Sequence, residues 1–265
     1  MSEGPAVREE REGGVMRLTL DRDEYRNALS GEIIAGLSSA LRTAREDDGV
    51  HVVLLRAEGK AFCAGAKLDV VATRSDGMLQ RKYHRSAREL FTALVQFPKP
   101  TIACVQGPAL AGGAGVATAC DFVICAEEVV LGYPEVNLAM APSMVMQILL
   151  RRVPWRIGMD WVFTGERIPA AEAARWGLVS QVVAAADLDR VGDQLASSLA
   201  DRDLGALELI KELGLVGQDL PFERSLRYAS EISALAGSSS AAREAISTFF
   251  DGRETDRSRP AAADA

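Results

Sequence analysis

The chain lacks the features of a membrane protein and of a secreted, disulfide-stabilised protein. No apolar run approaches the roughly 20 residues that a membrane-spanning helix requires. The charged N-terminal stretch MSEGPAVREEREGG has no apolar segment of the kind found in a secretion signal. The 4 cysteines form no CxxC pair and lie among apolar or small residues, which is typical of free thiols in a reducing compartment. We therefore expect a cytoplasmic protein with no membrane partner.

The sequence also has no excess of positive charge and very little histidine. It contains 30 lysines and arginines against 37 aspartates and glutamates, a formal net charge of -7, whereas a nucleic-acid-binding surface needs clustered positive charge. His51 and His84 are the 2 histidines, and they are not spaced as metal ligands. Neither is placed to activate Cys63 or Cys120 as a nucleophile. We expect no nucleic-acid partner and no metal site.

What the sequence does contain is an alternation of strand and helix signals. VMRLTL alternates apolar and polar residues like a half-buried strand, and VHVVLLRAEG and KPTIACVQG are short and β-branched like buried strands. Between the first two, Ser30 can cap a helix in which Ile33, Ile34, Leu37 and Leu41 fall at helical spacing. The alternation predicts an α/β fold in which helices connect parallel strands.

The character of the sequence changes near its C-terminal end. From about Leu188 it is rich in helix formers and carries no strand signal, and after Phe250 it becomes the polar stretch DGRETDRSRPAAADA. This change predicts a core over residues 1–200 and a helical region over residues 201–265 that ends in a frayed tail.

Two turns of small residues are the strongest local signals of a functional site. In ALAGGAGVATACD, Gly112, Gly113 and Gly115 stand where a strand gives way to a helix. Glycine allows a ligand to approach the backbone closely, and the first N–H groups of a helix are unpaired. The turn lacks the third glycine of a dinucleotide-binding loop and the lysine of a P-loop.

The stretch KAFCAGAKLD places a second small-residue turn after an earlier strand. Two such turns can direct two backbone N–H groups at one point, as in an oxyanion hole. Phosphate binding by the glycine turn and simple close packing of the helix are the alternatives at this point.

These segments resemble the crotonase superfamily, the enoyl-CoA hydratases and isomerases, and they occur in the family's order and spacing. The matching stretches, between Val15 and Val183, are DRDEYRNALS, KAFCAGAKL, KPTIACVQGPALAGGAGVATACDFVICAEE, GYPEVNLAMAP and FTGERIPAAEAARWGLVSQVV. The resemblance implies a spiral of strand-strand-helix units, with binding and catalysis in residues 1–200. It also implies a C-terminal helical region that packs trimers, so we expect a homotrimer or homohexamer.

The resemblance further implies the substrate and the residues that act on it. An acyl-CoA or carrier-bound acyl thioester is expected, with coenzyme A entering as part of that substrate and no separate cofactor. The N–H groups of Ala66 and Gly112 would stabilise the enolate, and Glu135 would be the acid/base. The residues expected beside coenzyme A are Arg26, Ala28, Ala64, Lys67 and Leu68.

Several positions depart from the family's pattern. Gly115 stands where family hydratases carry their first glutamate, which favours double-bond isomerisation through one carboxylate over hydration. Lys67 replaces a common aspartate and could meet a CoA phosphate, a substrate carboxylate or only water. Met144 replaces part of a glycine-rich stretch, so it forms either a bulkier pocket wall or part of the core. The lysine that many relatives place near the phosphates corresponds to Gly252.

Two other functions remain open at this stage. Lys67 and the missing glutamate are also compatible with a decarboxylase or C–C lyase acting on a carboxylated acyl thioester, because loss of CO2 requires only enolate stabilisation. A CoA-binding protein with little catalysis is the third candidate. The segment Val70–Phe91, which should shape the acyl pocket, has no recognisable motif. It therefore leaves the acyl group open, and Tyr83 or His84 within it could supply the missing acid.

Overall fold

In the computed structural model, which describes residues 4–67 and 77–257, the chain divides into two units, Met1–Arg202 and Asp203–Ala265. The strands of the first unit are β1 Val7–Glu12, β2 Val15–Leu20, β3 Val52–Ala57, β4 Thr101–Val105, β5 Ala109–Leu110, β6 Phe122–Ala126, β7 Val130–Gly132, β8 Arg167–Pro169 and β9 Gln181–Val183. Its helices are α1 Gly31–Glu46, α2 Gly77–Val95, α3 Gly112–Ala119, α4 Val145–Leu149, α5 Trp155–Thr164, α6 Ala170–Arg175 and α7 Leu188–Ala200.

The described residues of the first unit form two sheets. The larger has the order β1-β2-β3-β4-β6-β9, and the smaller has the order β5-β7-β8. From β2 to β9 every neighbouring pair of the larger sheet is parallel, and only β1 pairs antiparallel with β2. The predicted α/β fold with parallel strands is therefore confirmed. The carboxyl ends of β3 and β4 lie side by side, which brings the turns that follow them together.

Local sequence explains why the helix between β2 and β3 forms and packs as it does. The Ser30 side chain accepts a hydrogen bond from the Ile33 N–H and caps α1. The predicted apolar face, which includes Leu37 and Leu41, is buried in the core. At the other end, the buried Lys99 ammonium donates to the carbonyls of Ala44 and Asp47, each at 2.8 Å. A cation at a helix C-terminus is favourable because the last carbonyls lack intrahelical donors.

An ion-pair network fixes α7 against the large sheet. Asp193 accepts from Arg17 Nε at 2.9 Å and pairs with Arg56 Nη2 at 2.8 Å. Partial burial alone would raise the pKa of Asp193, but the hydrogen bonds and charges of Arg56 and Arg17 outweigh that effect and lower it. The carboxylate is therefore a stabilising contact between the helix and strands β2 and β3.

The second unit is helical. Its helices are α8 Leu204–Asp219, α9 Phe222–Gly237 and α10 Ser240–Arg257. Helix α10 continues to Arg257, past Phe250, where the polar stretch begins. Residues 258–265 of the predicted tail lie outside the described residues. Within the part of the chain that the structure describes, no helix is long and apolar enough to cross a membrane.

Candidate active site

The two small-residue turns lie against each other at the ends of β3 and β4. The Cys63 N–H donates to the Pro108 carbonyl at 3.3 Å, and the Leu110 N–H donates to the Cys63 carbonyl at 3.0 Å. Gly65 has a φ of +90°, and a Cβ there would lie 2.8 Å from both the Ala111 Cβ and the Leu110 carbonyl oxygen. Only glycine satisfies both the backbone conformation and the close approach. Gly65 therefore permits the two turns to pack directly against each other.

The contact brings two unpaired backbone donors together. Neither the Ala66 N–H nor the Gly112 N–H has a hydrogen-bond acceptor among the described residues. A Cβ on Gly112 would lie 3.9 Å from the Ala66 nitrogen, which shows how near the two groups are. Gly112 is the first residue of α3, so the positive end of the helix dipole adds to its N–H. The preceding Ala111 has a φ of 51° and a ψ of -122°, a strained conformation for a residue with a side chain.

Glu135 is presented by the turn that follows β7. Tyr133 is fully buried, Pro134 begins a 3-10 turn over Pro134–Leu138, and the Met140 N–H closes it by donating to the Glu135 carbonyl at 3.1 Å. The carboxylate atom Oε2 is buried and has no hydrogen-bond partner in the described structure. Burial raises the pKa of Glu135, although a hydrogen bond from its own backbone N–H partly opposes the shift.

One cavity of about 380 Å³ contains all three groups. Ala66, Gly112 and Glu135 line it together, although they are far apart in the sequence. Most of the remaining wall is apolar and includes Leu29, Ala87, Phe91, Met140, Met144 and Val145. Met144 is thus part of the cavity wall. A carboxylate and two converging N–H donors in an apolar cavity can remove a proton next to a carbonyl and stabilise the resulting oxyanion.

The space beside Gly115 is filled by two side chains. A Cβ at this position would overlap Val145 Cγ1 and would lie 3.1 Å from Phe91 Cε1. Val145 belongs to α4 and Phe91 to α2, and both are buried. The sequence did not predict that Val145 or Phe91 would fill this space. Its one signal was the bulky run Met144-Val145-Met146, which stands in place of the family's glycine-rich stretch. Glu135 is the only carboxylate among the described residues that line the cavity.

Tyr83 and His84 also line the cavity, on α2. The Tyr83 hydroxyl donates to the Leu29 carbonyl at 3.1 Å, and burial, with a smaller contribution from Cys63, raises its pKa to about 12. Its proton is therefore held by the Leu29 carbonyl. The His84 ring meets the Tyr83 ring edge-on, with centroids 5.6 Å apart. His51 lies elsewhere, with Nδ1 2.8 Å from the Ala200 carbonyl oxygen, and has a structural contact.

The residues expected beside coenzyme A are placed less uniformly. Ala64 lines the cavity, and its N–H donates to the carbonyl of the exposed Arg26 at 3.0 Å. Ala28 is buried. The Lys67 ammonium lies 4.2 Å from the centre of the Tyr25 ring, a cation–π contact.

The structure is silent on some of the predicted positions. Leu68 and residues 70–76 of the expected acyl-pocket segment lie outside the described residues. Gly252 lies in α10 of the helical unit. In the described ranges no cluster of three or more histidine, cysteine, aspartate or glutamate side chains could hold a metal ion.

Comparisons with known proteins agree over almost the whole chain. The family model described as enoyl-CoA hydratase/isomerase matches residues 10–255. A putative enoyl-CoA hydratase of Thermus thermophilus is 36% identical over 243 residues, which cover 91% of this chain and 96% of the relative. A 1,2-epoxyphenylacetyl-CoA isomerase of Escherichia coli is 32% identical over 243 residues, or 90% and 93% of the two chains. The crystal structure of an enoyl-CoA hydratase from Mycobacterium smegmatis superposes with a TM-score of 0.91 at 29% identity, covering 94% of this chain and 97% of that one.

Proposed function

Because the chain belongs to the enoyl-CoA hydratase/isomerase family, the crotonase superfamily, we propose that it moves the double bond of an enoyl-CoA thioester by means of a single carboxylate. The family and the crotonase-type fold predicted from the sequence are confirmed by the family match and the solved structures. Coenzyme A enters as part of the substrate, and an acyl group on a carrier protein is the related possibility.

The thioester carbonyl is assigned to the pair of unpaired N–H groups. When the carbon next to the thioester loses a proton, the negative charge moves to the carbonyl oxygen as an enolate. Ala66 and Gly112 can each donate to that oxygen, because no protein acceptor among the described residues competes for their N–H groups. Donors already in position at an oxyanion are worth about 3–4 kcal/mol each to the transition state.

The observation that carries the proposal is the filled space beside Gly115. Hydration with two carboxylates needs room for a second acidic side chain and for the water that it activates. Val145 Cγ1 and the Phe91 ring occupy that region, which leaves Glu135 as the acid/base of the described cavity. A single carboxylate can serve both steps of a double-bond shift, since the proton taken at one carbon is returned at another.

The proton balance of the reaction is complete with this one group. The Glu135 carboxylate accepts the proton from C2 of a 3-enoyl thioester, and the electron pair delocalises over C2 to C4 and the thioester oxygen. The resulting carboxylic acid then delivers the proton to C4, which forms the 2-enoyl thioester and regenerates the carboxylate. Burial, which raises the pKa of Glu135, favours both steps because it strengthens the base and stabilises the protonated intermediate form of the side chain.

The alternative functions receive less support from the structure. The decarboxylase or lyase hypothesis rests on Lys67 and on the missing glutamate. The Lys67 ammonium lies over the Tyr25 ring, and Lys67 is not among the described residues that line the cavity. A CoA-binding protein with little catalysis would have no use for a buried, unpaired carboxylate oxygen such as that of Glu135. Groups of this kind cost stability and are concentrated at catalytic sites.

We also retain the expected assembly and location as proposals. Self-association as a trimer or hexamer is supported by large apolar side chains that are exposed in the single chain. In the helical unit these are Ile210, Phe222, Leu226, Leu235, Ile246, Phe249 and Phe250, and apolar surface of this extent is typical of an interface. The 4 cysteines are free and buried, which supports a reducing compartment such as the cytoplasm. Arg26, Ala28, Ala64, Lys67 and Leu68 stay predicted contacts of coenzyme A.

The decisive assay compares isomerisation of a 3-enoyl-CoA with hydration of the corresponding 2-enoyl-CoA. We expect isomerisation to be the faster reaction and Glu135→Gln to reduce it on the order of 10²- to 10⁴-fold. The exposed Glu128→Gln is the matched control and should retain full activity. With substrate deuterated at C2, return by one carboxylate should leave part of the label at C4. Faster hydration than isomerisation, or full activity of the Glu135 variant, would contradict the proposal.

A further inference from the structure

Helix α2 separates the reaction cavity from a second depression on the protein. One face of the helix, with Gln80, Tyr83, His84, Ala87 and Phe91 at helical spacing, lines the cavity. The adjacent face lines an open groove of about 870 Å³ between α1 and α2. Tyr83 is the only residue in the described part of the chain that lines both spaces. Tyr83 therefore forms the partition between them.

The partition is held in place by Leu29, whose backbone is hydrogen-bonded to the turn that carries Ala66. The Tyr83 hydroxyl donates to the Leu29 carbonyl, and the Leu29 N–H donates to the Gly65 carbonyl at 2.7 Å. Gly65 directly precedes Ala66, one of the two proposed oxyanion donors. The ring thus has a fixed position next to the reacting end of the cavity, and a group leaving the cavity on this side would meet it first.

The groove beyond Tyr83 is lined by both apolar and polar residues, and the polar ones include Ser38, Ser39 and Ser86. Ile34 is buried beneath it, and Ala35 and Leu79 flank it. Arg42, Lys82 and Glu89 stand at the rim as exposed side chains. An unbranched hydrocarbon chain can lie here, because its methylenes can cover Ile34, Ala35 and Leu79 while the charged groups stay in water.

We propose that Tyr83 sets the acyl-chain length, and that the groove between α1 and α2 receives the distal methylenes of a longer acyl group once the ring is removed. This inference rests on the proposed function, in that the ligand is an acyl-CoA. The reaction cavity, at about 380 Å³, lies near the lower end of the size of small-molecule sites. With the ring in place it suits a short acyl group.

The test measures binding of saturated acyl-CoAs, so that no turnover is needed. Butyryl-, octanoyl- and dodecanoyl-CoA are titrated into the full-length protein. For Tyr83→Ala, the ratio of dodecanoyl-CoA to butyryl-CoA affinity should rise at least about tenfold over the unmutated protein, since each fully buried methylene is worth about fourfold in affinity. Tyr83→Phe loses the hydrogen bond to the Leu29 carbonyl but keeps the bulk of the ring, so it should leave the ratio close to that of the unmutated protein. Tyr83→Leu, which still packs a side chain at this position, gives a second opening variant should the alanine variant fold poorly.

Ala35→Trp, which should block the groove between α1 and α2, tests whether the gain in dodecanoyl-CoA affinity depends on that groove. Ala35→Trp should leave butyryl-CoA binding unchanged, because Ala35 lies outside the cavity. In the Tyr83→Ala protein it should return the affinity ratio to its original value. An unchanged ratio in both opening variants would overturn the inference, and so would a gain that Ala35→Trp does not reverse.

Two further outcomes separate this inference from its premise. An acyl-CoA whose acyl group ends in a carboxylate is titrated alongside, and tightening confined to that ligand would assign the groove to Arg42 and Lys82 and would overturn the apolar path. If no acyl-CoA of any length binds the unmutated protein, the proposed function fails and takes this inference with it. If acyl-CoAs bind with the expected chain-length shift but no double bond moves, only the proposed reaction fails.

Discussion

The filled space beside Gly115 can be tested by a double-mutant cycle with Val145. Gly115→Ala adds one methyl group inside α3, where it would overlap Val145 Cγ1 and approach Phe91 Cε1 to 3.1 Å. Val145→Ala removes Cγ1, the atom that a Cβ at Gly115 would approach most closely. If the two side chains compete for one space, the cost of the first substitution must depend strongly on whether the second is present.

The magnitudes follow from packing and helix propensity. Overpacking a well-filled core costs about 1–3 kcal/mol, whereas alanine in place of glycine inside a helix gains about 1 kcal/mol. Gly115→Ala alone should therefore lower the free energy of unfolding by up to about 2 kcal/mol. Val145 is 4% exposed, so Val145→Ala alone should cost about 2–3 kcal/mol. In the double variant the new methyl fills the vacated space, and we expect a coupling free energy of about 1–3 kcal/mol.

Urea unfolding of the four proteins, at one protein concentration because self-association would shift the midpoints, gives the coupling directly. Gly214→Ala is the matched control, since Gly214 lies inside α8 and a Cβ there meets nothing within 4 Å. It should stabilise the protein by about 1 kcal/mol. A coupling free energy below about 0.5 kcal/mol would refute the claim that Val145 occupies the space beside Gly115.

Two further predictions concern the dependence of stability on pH. Because burial raises the folded-state pKa of Glu135, stability should fall as the pH rises from the ordinary glutamate pKa through the folded value. Glu135→Gln should then unfold at a higher urea concentration than the unmutated protein at about pH 8 but not at about pH 4. The same difference in urea midpoint at both pH values would contradict this. For Asp193, whose folded pKa is lowered, the sign is opposite. Because the Asp193 side chain is 36% exposed and water screens its ion pairs, Asp193→Asn should cost only about 1 kcal/mol at neutral pH. The difference should disappear in acid as the pH falls through the folded pKa. A difference that does not change with pH would count against the ion pairs with Arg17 and Arg56.

Much of the fold could be predicted from the sequence because it depends on local patterns. The apolar spacing after Ser30 predicted α1 and its buried face, and the short β-branched runs predicted the buried parallel strands. The order and spacing of the matching stretches were sufficient to predict the family, which the comparisons confirm. Glycine and alanine at the two turns can be interpreted in the same way, since the requirement for a small residue is a property of the position itself.

The contents of the cavity could not be predicted in this way. The sequence alone determined that Gly115 lacks a carboxylate, but only the tertiary structure decided that Val145 and Phe91 fill the space. It also decided that Lys67 faces Tyr25 and that Tyr83 separates the cavity from the groove. The physical reason is that each of these facts depends on the distance between side chains carried by different elements. Local periodicity specifies which face of an element is buried, whereas the packing of elements distant in the sequence decides which side chains meet there.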